Sequence, residues 1–232
     1  RGLAAWRERL RLDPGPGGET WYLKRYTRPP AGARREMRRS RSGARSLAGV
    51  EWVWMTRLAA DGIPAVRPLA LAEAFERSRE VRSALLTQAV RGESLEALAA
   101  RPQALDRAQV RCLLTDTAGL VSRFHAAGYV HRDLYLSHIF YDATAAGSAD
   151  RGLTLIDLHR VLRPRWRRRR WIVKDLAALE YSTPRALVSA ADRLRWLKRY
   201  LGLPKLDPAA RRLVRAVQRK TRRIARHDAR RR

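Results

Sequence analysis

The sequence predicts a two-lobed α+β fold: a small antiparallel sheet with one helix in residues 1–90, then a mainly helical part in residues 91–232. Three observations point there. Short runs with strand character, Trp21–Tyr26, Val66–Ala72 and Ala84–Ala89, lie in the first part. A single helical stretch, from Ser46 to Asp61, interrupts them. Beyond Ser94 the apolar residues recur at helical spacing, apart from the segment around residues 131–157.

Composition sets the outer limits. A chain of 232 residues with 45% hydrophobic content can bury a core, and global disorder is not expected. No run of about 20 apolar residues is present, so no membrane-spanning helix is expected. There is no signal-peptide pattern, and Arg1 in place of an initiating Met leaves room for a preceding segment. The single cysteine, Cys112, falls in a helical apolar pattern and is expected in the core; one thiol excludes a disulfide framework and suits a reducing cytoplasm. A formal net charge of +28 favours polyanionic partners: nucleic acid, anionic lipid head groups or a phosphorylated glycolipid.

Taken in order, Arg1 to Leu12 is compatible with a strand or a short helix, and Asp13-Pro14-Gly15-Pro16-Gly17-Gly18 is a turn by composition. Trp21–Tyr26 follows as a strand. Alternation puts Tyr22, Lys24 and Tyr26 on one face and Arg25 on the other, with Lys24 the preferred phosphate-binding cation and Arg25 its competitor. Residues 28–45, rich in arginine, proline, glycine and serine, are expected to form a mobile basic loop, either an anion-binding arm or a solvated insert. Ser46 is a helix N-cap and Asp61-Gly62 a helix end. Leu47, Glu51, Trp54 and Leu58 share a stripe, so Glu51 needs a partner if it is buried, and Lys24 would supply one. Ser83–Val90 runs as an inner strand into Arg91-Gly92, where backbone groups near Gln88 to Val90 would hold an adenine edge. A short helix from Ser94 and a longer one over about 104–127 precede Tyr129-Val130.

The chemistry is concentrated in His131-Arg132-Asp133-Leu134-Tyr135-Leu136-Ser137-His138-Ile139-Phe140 and Leu153-Thr154-Leu155-Ile156-Asp157-Leu158-His159. The first reads like a kinase catalytic loop, the second like the strand that ends in a metal-binding aspartate. Phosphoryl transfer needs a carboxylate at the acceptor hydroxyl and cations at the phosphates; Asp133 fits the first role and Asp157 the metal-ligand role. Downstream, the run Arg163 to Arg170 is read either as a recognition site for an anionic acceptor or as a solvated loop. The tail from Pro208 is a basic helix, docked on the domain or lying on an anionic membrane face.

These residues resemble a known family. The runs HRDLYLSHIF, LTLIDLHRV and RRWIVKDLAALEYS, with Leu58 to Pro68 as a helix-to-strand passage, resemble the lipopolysaccharide kinase (Kdo/WaaP) family, over roughly residues 20–182. The resemblance implies a protein-kinase-like fold and transfer of the γ-phosphoryl group of ATP, with Mg2+, to a sugar of the lipopolysaccharide inner core, heptose or Kdo. It implies Asp133 at the attacking hydroxyl, Asp157 on magnesium, and Lys24 with Glu51 at the phosphates. His138 stands where protein kinases carry asparagine; as an imidazole it suits phosphate better than magnesium. Asp175 resembles an aspartate that braces the catalytic loop. The implied partner is the anionic glycolipid, met in the cytoplasm or at the periphery of the inner membrane of a Gram-negative-type bacterium; nucleic acid is not expected.

The departures keep rivals open. Asp157 is followed by Leu-His instead of Phe-Gly, and no Ala-Pro-Glu follows. Only about 75 residues come after Asp157, few for holding a peptide substrate. A kinase for protein Ser, Thr or Tyr and an inactive polyanion-binding relative remain the alternatives, with a nucleic-acid binder, suggested by charge alone, behind them.

Overall fold

The computed structural model describes residues 4–13 and 18–230. The glycine-rich turn expected at 13–18 therefore falls mostly outside the described residues. Contacts divide the chain into two compact units, the first running to Arg91 and including Leu155–Arg163, the second comprising Gly92–Thr154 and Pro164 onward. The return of Leu155–Arg163 to the first unit is not part of a simple division after residue 90, and its cause is local. Leu155 forms a parallel bridge with Ala65, Val66 N–H donating to Leu155 C=O at 2.9 Å and Leu155 N–H to Pro64 C=O at 3.0 Å.

The first unit is a four-stranded antiparallel sheet of β1 (Arg7–Leu12), β2 (Trp21–Thr27), β3 (Pro68–Glu76) and β4 (Arg79–Gln88), in the order β1-β2-β4-β3. Of the segment left open between strand and helix, Arg7–Leu12 is a strand. Helix α1 (Ala31–Ser40) replaces the mobile loop expected over 28–45. Alanine, arginine, glutamate and methionine favour helix, and the prolines fall just before the first turn, where no backbone donor is missed. Helix α2 (Leu47–Ala60) starts where the Ser46 hydroxyl accepts the Gly49 N–H and packs on β2, β3 and β4 through Val50, Trp54, Met55 and Leu58.

The second unit begins at Gly92, whose φ of +77° and lack of a side chain are required: a Cβ there would lie 2.0 Å from the Tyr141 carbonyl oxygen. Strands β5 (Glu93–Ser94), β6 (Ile139–Tyr141) and β7 (Leu153–Leu155) form a small sheet. The helices are α3 (Leu95–Ala99), α4 (Arg107–Ala126), α5 (Arg168–Ser182), α6 (Ala190–Leu201) and α7 (Pro208–Ala229), with α4 against α6 and α5 against α7. An Asp106–Gln109 capping box opens α4, and Val110, Leu113, Leu120, Val121 and Phe124 form its core face. Cys112 is exposed, contrary to the core position expected of it, because it lies beside Arg111 and Thr115 on the solvent side of that stripe. The last three residues of the arginine run, Arg168 to Arg170, are the first turn of α5 and not loop. Helix α7 docks through Leu213, Val214, Val217 and Ile224, and turns Arg211, Arg215, Arg219, Arg222 and Arg226 to solvent.

Candidate active site

In the first unit, strand alternation places Lys24 and Tyr26 toward α2, while Arg25 is solvent-facing and pairs with Glu8 at 3.0 Å. Glu51, 1% exposed, has the partners its position demands: Lys24 Nζ lies 2.5 Å from Oε2, and the Tyr26 hydroxyl donates to Oε1 at 3.1 Å. Burial first, then the Glu51 charge, pushes the Tyr26 phenol well above its ordinary range, so it stays a donor. Breaking such a buried pair from one side costs about 3–5 kcal/mol, since the other charge is left without compensation.

The same ammonium reaches Asp157, 3.8 Å away. Asp157 stands at φ 57°, left-handed, a region aspartate tolerates better than most residues. Its Oδ1 is 2.8 Å from His159 Nδ1. Glu51, Asp157 and His159 offer ligand atoms within 4.8 Å of one another. As a magnesium site the set fits through Asp157 alone. Glu51 is committed to Lys24 and Tyr26, and an imidazole is a poor ligand for a hard cation that prefers oxygen. Gln88 ends β4, its N–H donating to the Arg67 carbonyl at 3.0 Å and its side-chain amide to Glu19 at 2.9 Å. Ala89 N–H donates to the Thr20 carbonyl at 2.9 Å, and half-buried Val90 follows.

In the second unit, the loop bearing Asp133 is bolted to one helix. Asp175 of α5, fully buried, accepts the backbone N–H groups of His131 and Arg132, both at 2.7 Å. Ser182, two turns on, accepts the Leu136 N–H at 3.0 Å. These bonds hold Arg132 at φ 72°, a conformation costing an arginine about 1–3 kcal/mol. His138 Nδ1 is 2.7 Å from the Asp133 carbonyl and therefore carries its proton there, with the ring stacked on His131 at 5.6 Å. That bond makes His138 a support of the loop.

Three residues here were not singled out by sequence reasoning. Lys174 donates to the Arg132 carbonyl and lies 3.2 Å from Asp133 Oδ1. His125, buried at the end of α4, places Nε2 3.3 Å from Asp175 Oδ2 and Nδ1 2.8 Å from the Tyr200 hydroxyl. The carboxylate can only accept, so Nε2 carries a hydrogen, and a neutral His125 takes the Tyr200 hydroxyl hydrogen on Nδ1. Burial pushes the Tyr200 phenol upward, consistent with a donor. A polar histidine in the apolar stripe of α4 is the sequence signal for this chain of bonds. Lys174 has a fainter one, adjacency to Asp175.

A sheet lysine tied to a helix glutamate, an aspartate just past a short strand, and a second aspartate on a helix-braced loop define a kinase-like fold. A solved structure, described as WaaP in complex with acyl carrier protein, matches with a TM-score of 0.71 and 26% identity over 96% of this chain and 87% of that one. The chain belongs to the lipopolysaccharide kinase (Kdo/WaaP) family, whose pattern matches residues 18–200. The lipopolysaccharide core heptose(I) kinase WaaP of Pseudomonas aeruginosa is 38% identical over 95 residues, 40% of this chain and 35% of that protein. The 3-deoxy-D-manno-octulosonic acid kinase of Xanthomonas campestris pv. campestris is 31% identical over 179 residues, 71% of this chain and 68% of that protein. The alignment to the heptose kinase thus spans about a third of its length.

Proposed function

We propose that the protein is a kinase that transfers the γ-phosphoryl group of ATP to a sugar hydroxyl, on heptose or Kdo, of a lipopolysaccharide inner core. One observation carries most weight: Lys24 is the shared cation of buried Glu51 and of Asp157, the arrangement phosphoryl transfer requires around a nucleotide. In this reading Glu51 fixes the ammonium, and Lys24 holds phosphate oxygens. Asp157 would hold Mg2+, which when bound would neutralise charge on the nucleotide's phosphates. Asp133 orients the attacking hydroxyl and takes its proton as the bond to the γ-phosphorus forms and the bond to the leaving oxygen of ADP breaks. His138 supports that aspartate through its bond to the Asp133 carbonyl, with a hydrogen bond to phosphate as the role the family resemblance gives it. Gln88 and Ala89 have spent their N–H groups within the sheet, so an adenine edge would be read by Val90 and by carbonyls of this segment.

Family membership and the matches to both kinase types support the sugar acceptor. The arginine face of α7 suits an anionic glycolipid and an anionic leaflet, which would place the protein in the cytoplasm against the inner membrane. Among the described residues, no helix is long and apolar enough to cross a membrane. The related WaaP was solved with acyl carrier protein, and this chain has an apolar cavity of about 390 Å³ lined by Leu98, Leu113, Leu179, Leu187, Trp196 and Leu197. Such a lining suits an acyl chain, so we include an acyl carrier among the proposed partners.

The test is incubation with γ-labelled ATP and Mg2+ beside two acceptors, a heptose-bearing core lacking phosphate and a Kdo-bearing lipid A. Label in one of the two sugars is expected. Label in neither, or only in protein hydroxyls, would overturn the reading.

A further inference from the structure

Phosphoryl transfer concentrates negative charge beside the carboxylate that meets the acceptor, and a cation is needed to hold that carboxylate in one place. Leu134 to Ser137, which follow Asp133, include no cation, and the guanidinium of Arg132 before it lies over Trp171. Helix α5 brings an ammonium to the carboxylate. Trp171, Lys174 and Asp175 stand at i, i+3 and i+4, hence on one face. Each takes a different part of Arg132. The Trp171 ring lies under the guanidinium at 5.2 Å, Asp175 accepts the N–H at 2.7 Å, and Lys174 donates to the carbonyl. The left-handed backbone at Arg132 is thereby gripped at both peptide groups and the side chain, next to Asp133 in the chain.

Lys174 makes one further contact, and it is the one that matters chemically. Its ammonium spans from the Arg132 carbonyl to Asp133 Oδ1 at 3.2 Å, with the lysine side chain 25% and the aspartate 21% exposed. A carboxylate has two oxygens. The contact with Lys174 is made through Oδ1, which fixes the plane of the carboxylate. We propose that Lys174 is the positioning residue of the reaction: it holds Asp133 through Oδ1 and ties it to Arg132, so that the carboxylate meets the acceptor in one orientation. The inference rests on the kinase reading above and adds to it a role for the lysine of the third run, RRWIVKDLAALEYS.

The experiment is a double-mutant cycle on the full chain, with K174M, D133N and the pair, measuring kcat and the KM for ATP separately, alongside K174R. Lys174 acts through Asp133, so K174M should lower kcat by about 10²-fold, the scale of a small misplacement of a catalytic group, while KM for ATP changes little. K174R, which keeps a cation on a long stem, should recover part of the loss. In the D133N background K174M should cost almost nothing more, because it acts through that carboxylate. Should K174M not fold, K174Q gives the same readout on a side chain that can still bond the Arg132 carbonyl. Unchanged kcat in K174M, or an equal loss in both backgrounds, would overturn the proposal. If D133N itself transfers phosphate as fast as the wild type, it is the kinase assignment of Asp133 that fails.

Discussion

Replacing Asp175 by asparagine should weaken the second unit at the point where the loop is fastened. The carboxylate is fully buried and accepts two backbone N–H groups at 2.7 Å, with His125 Nε2 as a third donor at 3.3 Å. A hydrogen bond to a charged group contributes about 1.5–3 kcal/mol, and a buried N–H left unmet costs about 1–3 kcal/mol. Asparagine keeps one acceptor oxygen, so one amide stays bonded while the other faces an NH2 donor. The summed loss is about 3–5 kcal/mol. In a chain of this size each kcal/mol lowers the melting temperature by about 2–4 °C, so a drop of roughly 10 °C is expected. Calorimetry reads the shift, and amide hydrogen exchange should show His131 and Arg132 losing protection before the core of α4. A variant that melts within a degree or two of the wild type, with both amides still protected, would refute the claim that Asp175 fastens the loop.

Glu51→Gln removes the charge that fixes Lys24 but keeps the side chain's size. Loss of a charge-assisted bond of about 1.5–3 kcal/mol corresponds to about a 10- to 150-fold fall in kcat/KM for ATP if it is felt in the transition state; steady-state kinetics with ATP varied would measure it. Glu80, 3% exposed, has its carboxyl pushed above the ordinary 4.5 by burial, against the bonds from Ser83 and Leu47 that pull it down. A raised folded value means the folded chain holds that proton more tightly, so wild-type stability falls as pH rises from about 4.5 through the folded value. Glu80→Gln should therefore gain on the wild type as pH rises toward neutral and show no such gain below that window. Urea unfolding across pH checks the sign.

Much of this was legible because the chemistry is local in sequence. The helix over 47–60 announces itself by its Ser46 cap and Asp61-Gly62 end, and a glutamate inside its apolar stripe asks for a cation. Alternation along β2 puts Lys24 and Arg25 on opposite faces, and Lys24 is the one that pairs with Glu51 while Arg25 pairs with Glu8. The basic segment with its Pro29-Pro30 pair misled, because the arginines that look like loop composition are also good helix formers, and they build α1. Cys112 was one position off a stripe whose phase only packing fixes. The grip on Arg132 carries almost no sequence signal. A positive φ at an arginine follows no propensity, and the face formed by Trp171, Lys174 and Asp175 acquires meaning only when the loop lies on it. The Leu155–Ala65 bridge is likewise a tertiary event that no periodicity announces.

The central claim is that two carboxylates divide the work, Asp157 on the nucleotide's cation and Asp133 on the acceptor. It is tested most directly by measuring Mg2+-dependent ATP affinity and single-turnover phosphate transfer in parallel for Asp133→Asn and Asp157→Asn. The account predicts that Asp133→Asn binds ATP as the wild type does yet transfers about 10²–10⁴-fold more slowly, the usual contribution of a positioned base. It predicts that Asp157→Asn loses the magnesium dependence of binding itself. Wild-type transfer by Asp133→Asn, or unaltered magnesium-dependent binding by Asp157→Asn, would contradict it.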